Sequence, residues 1–274
     1  MAIVLLPDMN EYSMAKRDHQ SSNNQAEYWD TILDPQNLTA ATTGFDLDTE
    51  IAFYHTPAQD YAYQLMGSLN SKTILELGGG MGVNAVILAR AGAKVTVIDI
   101  SENRVQWMRR LVEQTKLQDR IEVVLMSAEQ LLFPENTFDI VYSNAVLIHV
   151  DKRIVAQEVA RVLKSGGKAI FVEPLKYHPL VNLYRYTFAP RIWRKIASYF
   201  SIRDLVQLSH YFSQYSHQEF YFCSFFAFFW EFGKRNQSRF QDSLSRWQKV
   251  DRILLRIIPG LSNLCWFTVF CGTK

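Results

Sequence analysis

The residues best suited to chemistry in this sequence lie in one short segment, where an acidic residue precedes four glycines in five positions. The segment follows an apolar run, precedes a helical pattern and reads Glu76-Leu77-Gly78-Gly79-Gly80-Met81-Gly82. Glycines permit a tight turn and a close approach of the backbone to a ligand, and the following helix offers its N-terminal amides. The spacing therefore predicts a site for a nucleotide-like cofactor.

Two acidic residues bear on which cofactor this is. Glu76 ends the first strand, where its carboxylate would repel a pyrophosphate but attract the ammonium group of a methionine moiety. Asp99 ends the next strand, roughly 20 residues beyond the loop, where an acid hydrogen-bonds ribose hydroxyls. Both cofactor types contain that ribose. Residues 80–85 also fit the G-x-G-x-x-A dinucleotide pattern, so an NAD(P)-dependent oxidoreductase remains an alternative.

Apolar runs that alternate with helical patterns predict a Rossmann-like, doubly wound α/β fold with a mostly parallel seven-stranded sheet and a helical substrate cover. We expect an N-terminal helical cover in residues 1–70, the cofactor-binding core in 71–174, and an aromatic-rich helical cover plus the last strands in 175–274, all in one domain. The predicted strands lie at residues 72–77, 93–98, 121–125, 138–143, 168–172, 217–222 and 265–271.

Composition limits the class of partner and the compartment. The chain has 274 residues, 48% of them hydrophobic, with 29 Lys and Arg against 27 Asp and Glu; this near-neutral balance argues against a nucleic-acid partner. Cys223, Cys265 and Cys271 have no metal-ligand spacing and are expected as buried thiols, so no metal site is predicted. The sequence shows no convincing signal peptide and no apolar run long enough to span a bilayer, which indicates a cytoplasmic protein.

Five blocks in order along the chain resemble the class I S-adenosylmethionine-dependent methyltransferases, specifically the small-molecule group similar to quinone and sterol methyltransferases. Residues 74–82 look like motif I of that family, and residues 97–101 look like its motif II. Residues 133–141 are similar to the segment that leads into the fourth strand. The blocks at residues 147–150 and 158–167 are similar to those that follow it. Several ordered blocks are far more specific than one glycine loop.

The resemblance implies a site for S-adenosylmethionine at the carboxyl ends of the strands. The loop glycines would hold the methionine portion above the glutamate, the aspartate would bind the ribose, and the residue after it would pack on adenine. Ser127 stands where the family commonly has Asp for the adenine amino group, so the Ala128 amide becomes the more reliable contact. That departure leaves a non-catalytic methyltransferase-like binding protein as a second alternative. The implied cofactor-binding residues are Glu76, Gly78, Gly80, Gly82, Asp99, Ile100, Ser127, Ala128 and Asn144.

Methyl transfer from a sulfonium is an in-line displacement, which mainly requires alignment of nucleophile, methyl and sulfur. His149, which follows the fourth strand, is the candidate general base; the alternative is a histidine that only holds a loop in place. Residues from the N-terminal cover and from the loop after the fifth strand are candidates for contact with the acceptor. They are Tyr28, Tyr54, His55, Tyr177 and His178.

Two features of the last hundred residues bear on the acceptor. The aromatic run at residues 219–232 fits core packing, an apolar acceptor pocket or a dimer surface. The basic amphipathic segments at residues 191–197 and 247–258 fit solvated surface helices or helices that lie on a membrane. Together they favour a small hydrophobic acceptor (aromatic, isoprenoid or lipid-like) in secondary metabolism. They leave open a monomer or a homodimer, with or without peripheral membrane contact.

Overall fold

The computed structural model of the protein describes residues 27–30, 45–189, 196–232 and 236–274. A short helical turn occupies residues 27–30. The later helices are α1 (Leu47–Tyr54), α2 (Pro57–Met66), α3 (Val83–Arg90), α4 (Glu102–Thr115), α5 (Lys152–Val162), α6 (Pro179–Thr187), α7 (Ile202–Ser209), α8 (Phe229–Phe232) and α9 (Gln237–Ile257). The strands are β1 (Thr73–Leu77), β2 (Lys94–Asp99), β3 (Ile121–Leu125), β4 (Phe138–Asn144), β5 (Leu163–Pro174), β6 (Gln214–Phe220) and β7 (Phe267–Thr273).

The strands form one seven-stranded sheet in the order β3-β2-β1-β4-β5-β7-β6. Strands β1 to β5 run parallel, whereas β7 is antiparallel to β5 and to β6. The order of connection reverses between β1 and β4, which opens a crevice at the carboxyl ends of these strands. The predicted fold class, a Rossmann-like and mostly parallel seven-stranded sheet with flanking helices, is confirmed.

Both faces of the sheet are buried, which explains why the central strands are nearly continuous apolar runs. Successive residues point to opposite faces. Ile74 packs in the core cluster on one face and Leu75 in the cluster on the other, and Ile140 and Val141 alternate in the same way. Helices therefore cover the sheet on both sides and leave its strand ends to form the site.

Some element boundaries differ from the sequence prediction for identifiable reasons. In the cover predicted as helical over residues 1–70, residues 47–66 form two helices, because Pro57 has no amide hydrogen and starts α2 at its first position. The described part of residues 175–215 contains α6 and α7, and Phe200 between them forms a parallel bridge with Leu175. Residues 191–195 of the first basic segment lie outside the described part of the chain.

No described helix has both the length and the apolar character that crossing a bilayer requires.

Candidate functional site

A cavity of about 220 Å³ opens at the carboxyl ends of β1 to β4, in the crevice where the strand order reverses. Its walls come from the loops that follow these strands and from the N-terminal cover. Among the residues predicted to bind a cofactor, those that line it are Gly78, Gly80, Asp99, Ile100, Ser127, Ala128 and Asn144. The sequence motifs thus converge in space, although their residues are up to 66 positions apart, as in the pair Gly78 and Asn144.

The glycine loop has a backbone that side chains would not permit. Gly78 and Gly80 adopt positive φ angles of 64° and 56°, and both line the cavity. A Cβ on Gly78 would lie 2.5 Å from Cγ2 of Val146, and one on Gly79 would lie 2.5 Å from Sδ of Met108. A Cβ on Gly80 would meet no heavy atom within 4 Å. The loop is therefore packed tightly from behind and open at Gly80.

Gly82 has a different place from the one predicted. It is not part of the cavity wall but the N-cap residue of α3, in a left-handed conformation with φ of 80°. A Cβ there would lie 3.2 Å from Met108 and 3.1 Å from Leu111 of α4. Its glycine is required by the turn and by close packing against α4. That Gly82 holds the cofactor stays a prediction, with Gly82 placed at the start of α3 outside the described cavity wall.

Asp99 lies at the end of β2 with its carboxylate held by the surrounding backbone. Oδ2 accepts a hydrogen bond from the Gly80 amide (3.1 Å), and Oδ1 accepts one from the Ser101 amide (3.0 Å). Arg104 lies 3.9 Å from Oδ2. The cap of the following helix is provided by Ser101, whose Oγ accepts a hydrogen bond from the Arg104 amide. Asp99 is thus fixed at the cavity wall and does not serve as the helix cap.

Glu76 lies behind the glycine loop rather than in the cavity wall. Its residue is 1% exposed, and its Oε2 has no hydrogen-bond partner. Burial raises its pKa to about 8; the Asn84 side chain opposes this by hydrogen bonding, and the charge of Asp99 adds to it. A buried carboxyl with an unsatisfied oxygen is costly unless it gains a partner. This oxygen is therefore suited to a cationic ligand group at the loop.

A buried polar network that the sequence did not reveal supports Glu76. Asn84, at the start of α3, accepts hydrogen bonds at Oδ1 from Nε2 of Gln59 (3.0 Å) and from the hydroxyl of Tyr63 (2.8 Å). The Tyr142 hydroxyl donates to Oε1 of Gln59 at 3.0 Å. Because Oδ1 is an acceptor in both contacts, the Asn84 amide nitrogen is directed to Glu76. Only the strand and helix packing brings these residues together, so no sequence spacing indicated them.

His149 lies in the cavity wall, on the short 3₁₀ turn that follows β4. Its Nδ1 lies 3.2 Å from the carbonyl oxygen of Ile196, which can only accept, so Nδ1 carries the proton and Nε2 the lone pair. Burial lowers its pKa to about 4, the Ile196 hydrogen bond opposes this, and the charge of Arg104 adds to it. The ring is therefore neutral at pH 7 and able to accept a proton at Nε2.

Glu173 fixes the turn that carries His149. This buried carboxylate, near the end of β5, accepts hydrogen bonds at Oε1 from Ser143 Oγ (2.8 Å) and from the amides of Val146 (3.2 Å) and Leu147 (3.1 Å). Burial raises its pKa to about 7, although those three hydrogen bonds act in the opposite direction. Ala145, just before the turn, has a positive φ of 57°. The loop geometry thus depends on a side chain from the neighbouring strand.

The N-terminal cover is anchored over the cavity through the start of α4. Asp30 Oδ1 accepts hydrogen bonds from the Ser101 hydroxyl (2.5 Å) and from the Asn103 amide (3.2 Å). Trp29 lies 4.2 Å from the Arg104 guanidinium and 5.2 Å from the His149 ring, measured to the ring centroid in each case. Trp29 and Arg104 both line the cavity. Trp29 and Arg104 therefore lie beside His149 in the cavity wall and limit the space open to water there.

The candidate acceptor-contacting residues divide into two groups. Tyr54, the last residue of α1, lines the cavity, whereas Tyr28 is half-buried beside Trp29 outside its wall. His55 is exposed, 3.3 Å from Asp60, and Tyr177 is half exposed at the surface. His178 is 2% exposed and occupied structurally: Nδ1 accepts from the Val181 amide and Nε2 donates to the Phe222 carbonyl. The structure thus brings Tyr54 to the cavity and places Tyr28, His55, Tyr177 and His178 outside its wall, so contact of these four residues with the acceptor stays a prediction.

A second, smaller cavity of about 40 Å³ adjoins the first. Tyr54 and Asn144 line both cavities, so these two side chains are shared by the two walls. The remaining walls are mainly aromatic and aliphatic, with a buried carboxylate among them. They are Phe53, Thr56, Ala58, Gln59, Val172, Tyr221, Phe228, Glu231, Trp266 and Phe267.

The aromatic run at residues 219–232 is divided between the core, the wall of the second cavity and the protein surface. Tyr221 and Phe228 are buried and line the second cavity. Phe228 also packs edge-on against Trp266 (4.9 Å) and Phe240 (5.2 Å) in the core. Phe226 and Phe229 are largely exposed. The run contributes to the core, to a cavity wall and to the surface.

The cysteines and metal-ligating residues add no further site. The thiols are unpaired; Cys265 and Cys271 are buried and Cys223 is partly so. Within the described residues, no group of three or more His, Cys, Asp or Glu side chains is arranged to hold a metal ion.

Comparison with known proteins identifies the domain that carries the first cavity. Residues 75–171 match the family model described as a methyltransferase domain. A glycine/sarcosine/dimethylglycine N-methyltransferase from Actinopolyspora halophila is 34% identical over 140 residues, which cover 47% of this chain and 25% of that protein. A ubiquinone/menaquinone biosynthesis C-methyltransferase from Hydrogenovibrio crunogenus is 30% identical over 146 residues, which cover 50% and 58%. Both matches span less than two thirds of the relative's length.

The fold is shared with solved structures over nearly the whole chain. The crystal structure of geranyl diphosphate C-methyltransferase from Streptomyces coelicolor, in complex with Mg²⁺, geranyl-S-thiolodiphosphate and S-adenosyl-L-homocysteine, aligns with a TM-score of 0.61. The alignment covers 95% of this chain and 100% of that one, at 12% sequence identity. The likeness in structure supports the fold, and the family match supports the motif assignment. Residues 75–171 are therefore similar in sequence to a methyltransferase domain, the family that the sequence motifs resemble, and the chain shares the Rossmann-like fold of these solved structures.

Proposed function

We propose that this protein is an S-adenosylmethionine-dependent methyltransferase that acts on a small hydrophobic acceptor. The observation that carries the proposal is that Tyr54 and Asn144 line both cavities. One has the glycine loop and the acidic residues of a methyltransferase domain; the other has aromatic walls. A donor in the first cavity and an acceptor in the second would approach each other at these two shared side chains.

The first cavity fits S-adenosylmethionine by the chemistry of its walls. Gly80 presents bare backbone toward open space, which suits the close approach of a ligand. The unsatisfied Oε2 of Glu76 suits the methionine ammonium group, and Asp99 suits the ribose hydroxyls. Ile100 and the Ala128 amide would hold the adenine. When bound, S-adenosylmethionine supplies an electrophilic methyl group on a positively charged sulfur.

The protein's own contribution to the reaction is alignment, exclusion of water and proton acceptance. Trp29 and Arg104 cover the His149 side of the first cavity. Nε2 of His149 would take the proton of an acceptor hydroxyl or amine, while its Nδ1 remains bonded to the Ile196 carbonyl. Tyr54 and Asn144 would orient the acceptor.

The second cavity favours a hydrophobic acceptor without negative charge. Among the described residues, those that line it include six aromatic side chains, Phe53, Tyr54, Tyr221, Phe228, Trp266 and Phe267, and no Lys, Arg or His. The charged side chain among these lining residues is the carboxylate of Glu231. A phosphate or carboxylate would meet no compensating cation among these described residues, which is unfavourable in a buried space. A role in secondary metabolism and a cytoplasmic location remain predictions from the sequence.

Isothermal titration calorimetry with S-adenosylhomocysteine and with NAD⁺ tests the donor assignment. We expect S-adenosylhomocysteine to bind and NAD⁺ not to bind. Tighter binding of NAD⁺ would favour the oxidoreductase, and binding of neither would favour a non-catalytic protein.

The acceptor assignment is tested by methyl transfer to panels of hydrophobic alcohols, phenols and amines, with polar acids as a comparison. Phe228→Leu changes the wall of the second cavity and should alter KM for an active acceptor while S-adenosylhomocysteine affinity stays within about twofold. Phe226→Leu is the matched control, because Phe226 is 47% exposed and outside both cavity walls. Activity on polar acids alone would refute the hydrophobic acceptor.

A further inference from the structure

The second half of α9 carries an exposed stripe that the proposed reaction does not use. Arg246, Lys249, Val250, Ile253, Arg256 and Ile257 follow the spacing i, i+3, i+4, i+7, which places them on one side of a helix. All six are exposed, with Ile253 at 59% and Ile257 at 69%. We call these six residues the α9 stripe. At 1.5 Å per residue it is about 17 Å long.

The opposite side of α9 is the side that packs into the protein. Phe240 and Leu244 are buried, and Phe240 packs against Phe53 and Phe228, which line the second cavity. Asp251 is also buried; its carboxylate accepts hydrogen bonds from the backbone amides of residues 222–224. The packing of these buried residues therefore fixes the orientation of α9. In this orientation, Ile253 and Ile257 face solvent.

The charge of this region is one-sided. Asp251 is the only acidic side chain in residues 243–274, and it is enclosed by the hydrogen bonds just described. The α9 stripe carries three cations, and exposed Arg252 beside it makes four. The whole chain has a formal charge of only +2, so this local excess is not a reflection of the overall composition.

We infer that the α9 stripe binds the surface of a membrane that contains anionic lipids. Exposed isoleucines flanked by cations are the pattern of a helix that lies in the interface, where apolar side chains enter the acyl boundary and cations meet the headgroups. Phe226, 47% exposed and 5.5 Å from the Trp247 ring, adds an aromatic group next to the helix. A second copy of this chain is a poorer occupant, because two such stripes face to face would bring six cations together, with one exposed acid on each copy of α9, Asp242, to offset them.

The experiment measures binding of the full chain to vesicles by co-sedimentation, without methyl donor or acceptor, so its outcome does not depend on the proposed reaction. Vesicles of phosphatidylcholine alone are compared with vesicles that contain phosphatidylserine as well. We expect binding to the anionic vesicles only, weakened by salt. The variant Arg252→Gln/Arg256→Gln should lower the partition coefficient about 30-fold, at roughly fivefold for each cation lost.

Two matched control variants test whether the loss of binding is specific to the α9 stripe. Fold measurements test whether any variant is misfolded. Arg110→Gln/Arg153→Gln removes two exposed cations elsewhere and should change binding less than twofold. Ile253→Ser/Ile257→Ser should abolish binding, whereas Leu132→Ser, at a residue 74% exposed on another loop, should not. All variants should keep the far-UV circular dichroism and melting temperature of the parent. Equal binding to both kinds of vesicle, equal loss in the charge control, or a concentration-dependent dimer that Ile253→Ser/Ile257→Ser dissolves would each overturn the inference.

Discussion

Ligand affinity should depend on pH through Glu76, whose carboxyl lies buried behind the glycine loop. Burial raises its pKa to about 8 in the ligand-free protein, so at neutral pH most molecules hold it protonated. The proposed role requires a carboxylate facing the ammonium group of the ligand. Binding of S-adenosylhomocysteine must therefore remove a proton from Glu76, and its affinity should rise with pH.

The magnitude follows from the ionised fraction. With a pKa of about 8, Glu76 is about 1% ionised at pH 6 and about 50% ionised at pH 8. If the bound ammonium group keeps the carboxyl ionised throughout this range, the association constant rises about 50-fold between the two pH values. Since each tenfold change in the association constant is worth about 1.36 kcal/mol, that ratio corresponds to about 2.3 kcal/mol of binding free energy.

The assay is calorimetric titration of S-adenosylhomocysteine at pH 6, 7 and 8 in buffers of different ionisation enthalpy, which also counts the protons released. We expect nearly one proton released per ligand at pH 6 and about half a proton at pH 8. Glu76→Gln should bind more weakly at pH 8 and lose both the slope and the proton release, and Glu76→Lys should lose binding.

Glu129→Gln is the matched control, because Glu129 lines the same cavity and its Oε1 is held by the Asp151 amide instead. It should keep the pH slope of the parent. A parent affinity that is constant within twofold from pH 6 to 8, or a Glu76→Gln variant with an unchanged slope, would refute the assigned role of Glu76.

Three further outcomes are expected from the same geometry. In the ligand-free protein the pKa of Glu76 in the folded state lies above its ordinary value of 4.5, so the folded state binds more protons than the unfolded state between pH 4.5 and about 8. The free energy of unfolding should thus fall as pH rises from about 4.5 to 8, and Glu76→Gln should lessen the fall in urea titrations at pH 5 and 8. His149→Gln should lower kcat by about 100-fold and change the affinity for S-adenosylhomocysteine by less than threefold, as initial rates and calorimetry would measure. If His149 only holds the loop in place, the variant would instead have a lower melting temperature and an unchanged kcat. Gly79→Ala should destabilise the fold because its Cβ would meet Met108. Gly80→Ala has open space at its Cβ but a positive φ, so it should destabilise the fold less and weaken ligand binding more, as thermal melts with and without S-adenosylhomocysteine would reveal.

The sequence predicted the strands well because apolar runs bounded by glycines are local signals. Strands β1 to β4 begin and end within one residue of the predicted positions, and α3 is where it was predicted. The division of the cover at Pro57 was missed, although the proline was visible as a signal. The loop and strand-end residues also came together as expected, since the carboxyl ends of parallel strands share one edge.

What the sequence could not supply is the set of contacts between distant elements. Asn84 and Gln59 are polar residues within helical patterns, and nothing in their spacing indicates that Asn84 meets Glu76 or that Gln59 holds Asn84. His178 has the type and position expected of an acceptor-site residue, yet its two ring nitrogens are both used in fixing α6 and residue 222. Residue type predicts what a side chain can do, but only packing determines which partner has already used that capacity.

The arrangement of the buried carboxyls explains how one site can be both stable and receptive to a cation. Glu173 has the same side chain as Glu76 and a similar burial, yet one of its oxygens accepts three hydrogen bonds and so holds the loop of His149 in place. Oε2 has no hydrogen-bond partner in either residue, but Glu76 receives a hydrogen bond from one side chain, Asn84, and its pKa is raised further, to about 8 rather than about 7. Hydrogen bonds thus compensate the burial of Glu173 more fully than that of Glu76. We therefore propose that a ligand with a positive charge at Glu76 relieves a cost that the fold leaves uncompensated, which would make this carboxyl the main determinant of donor affinity.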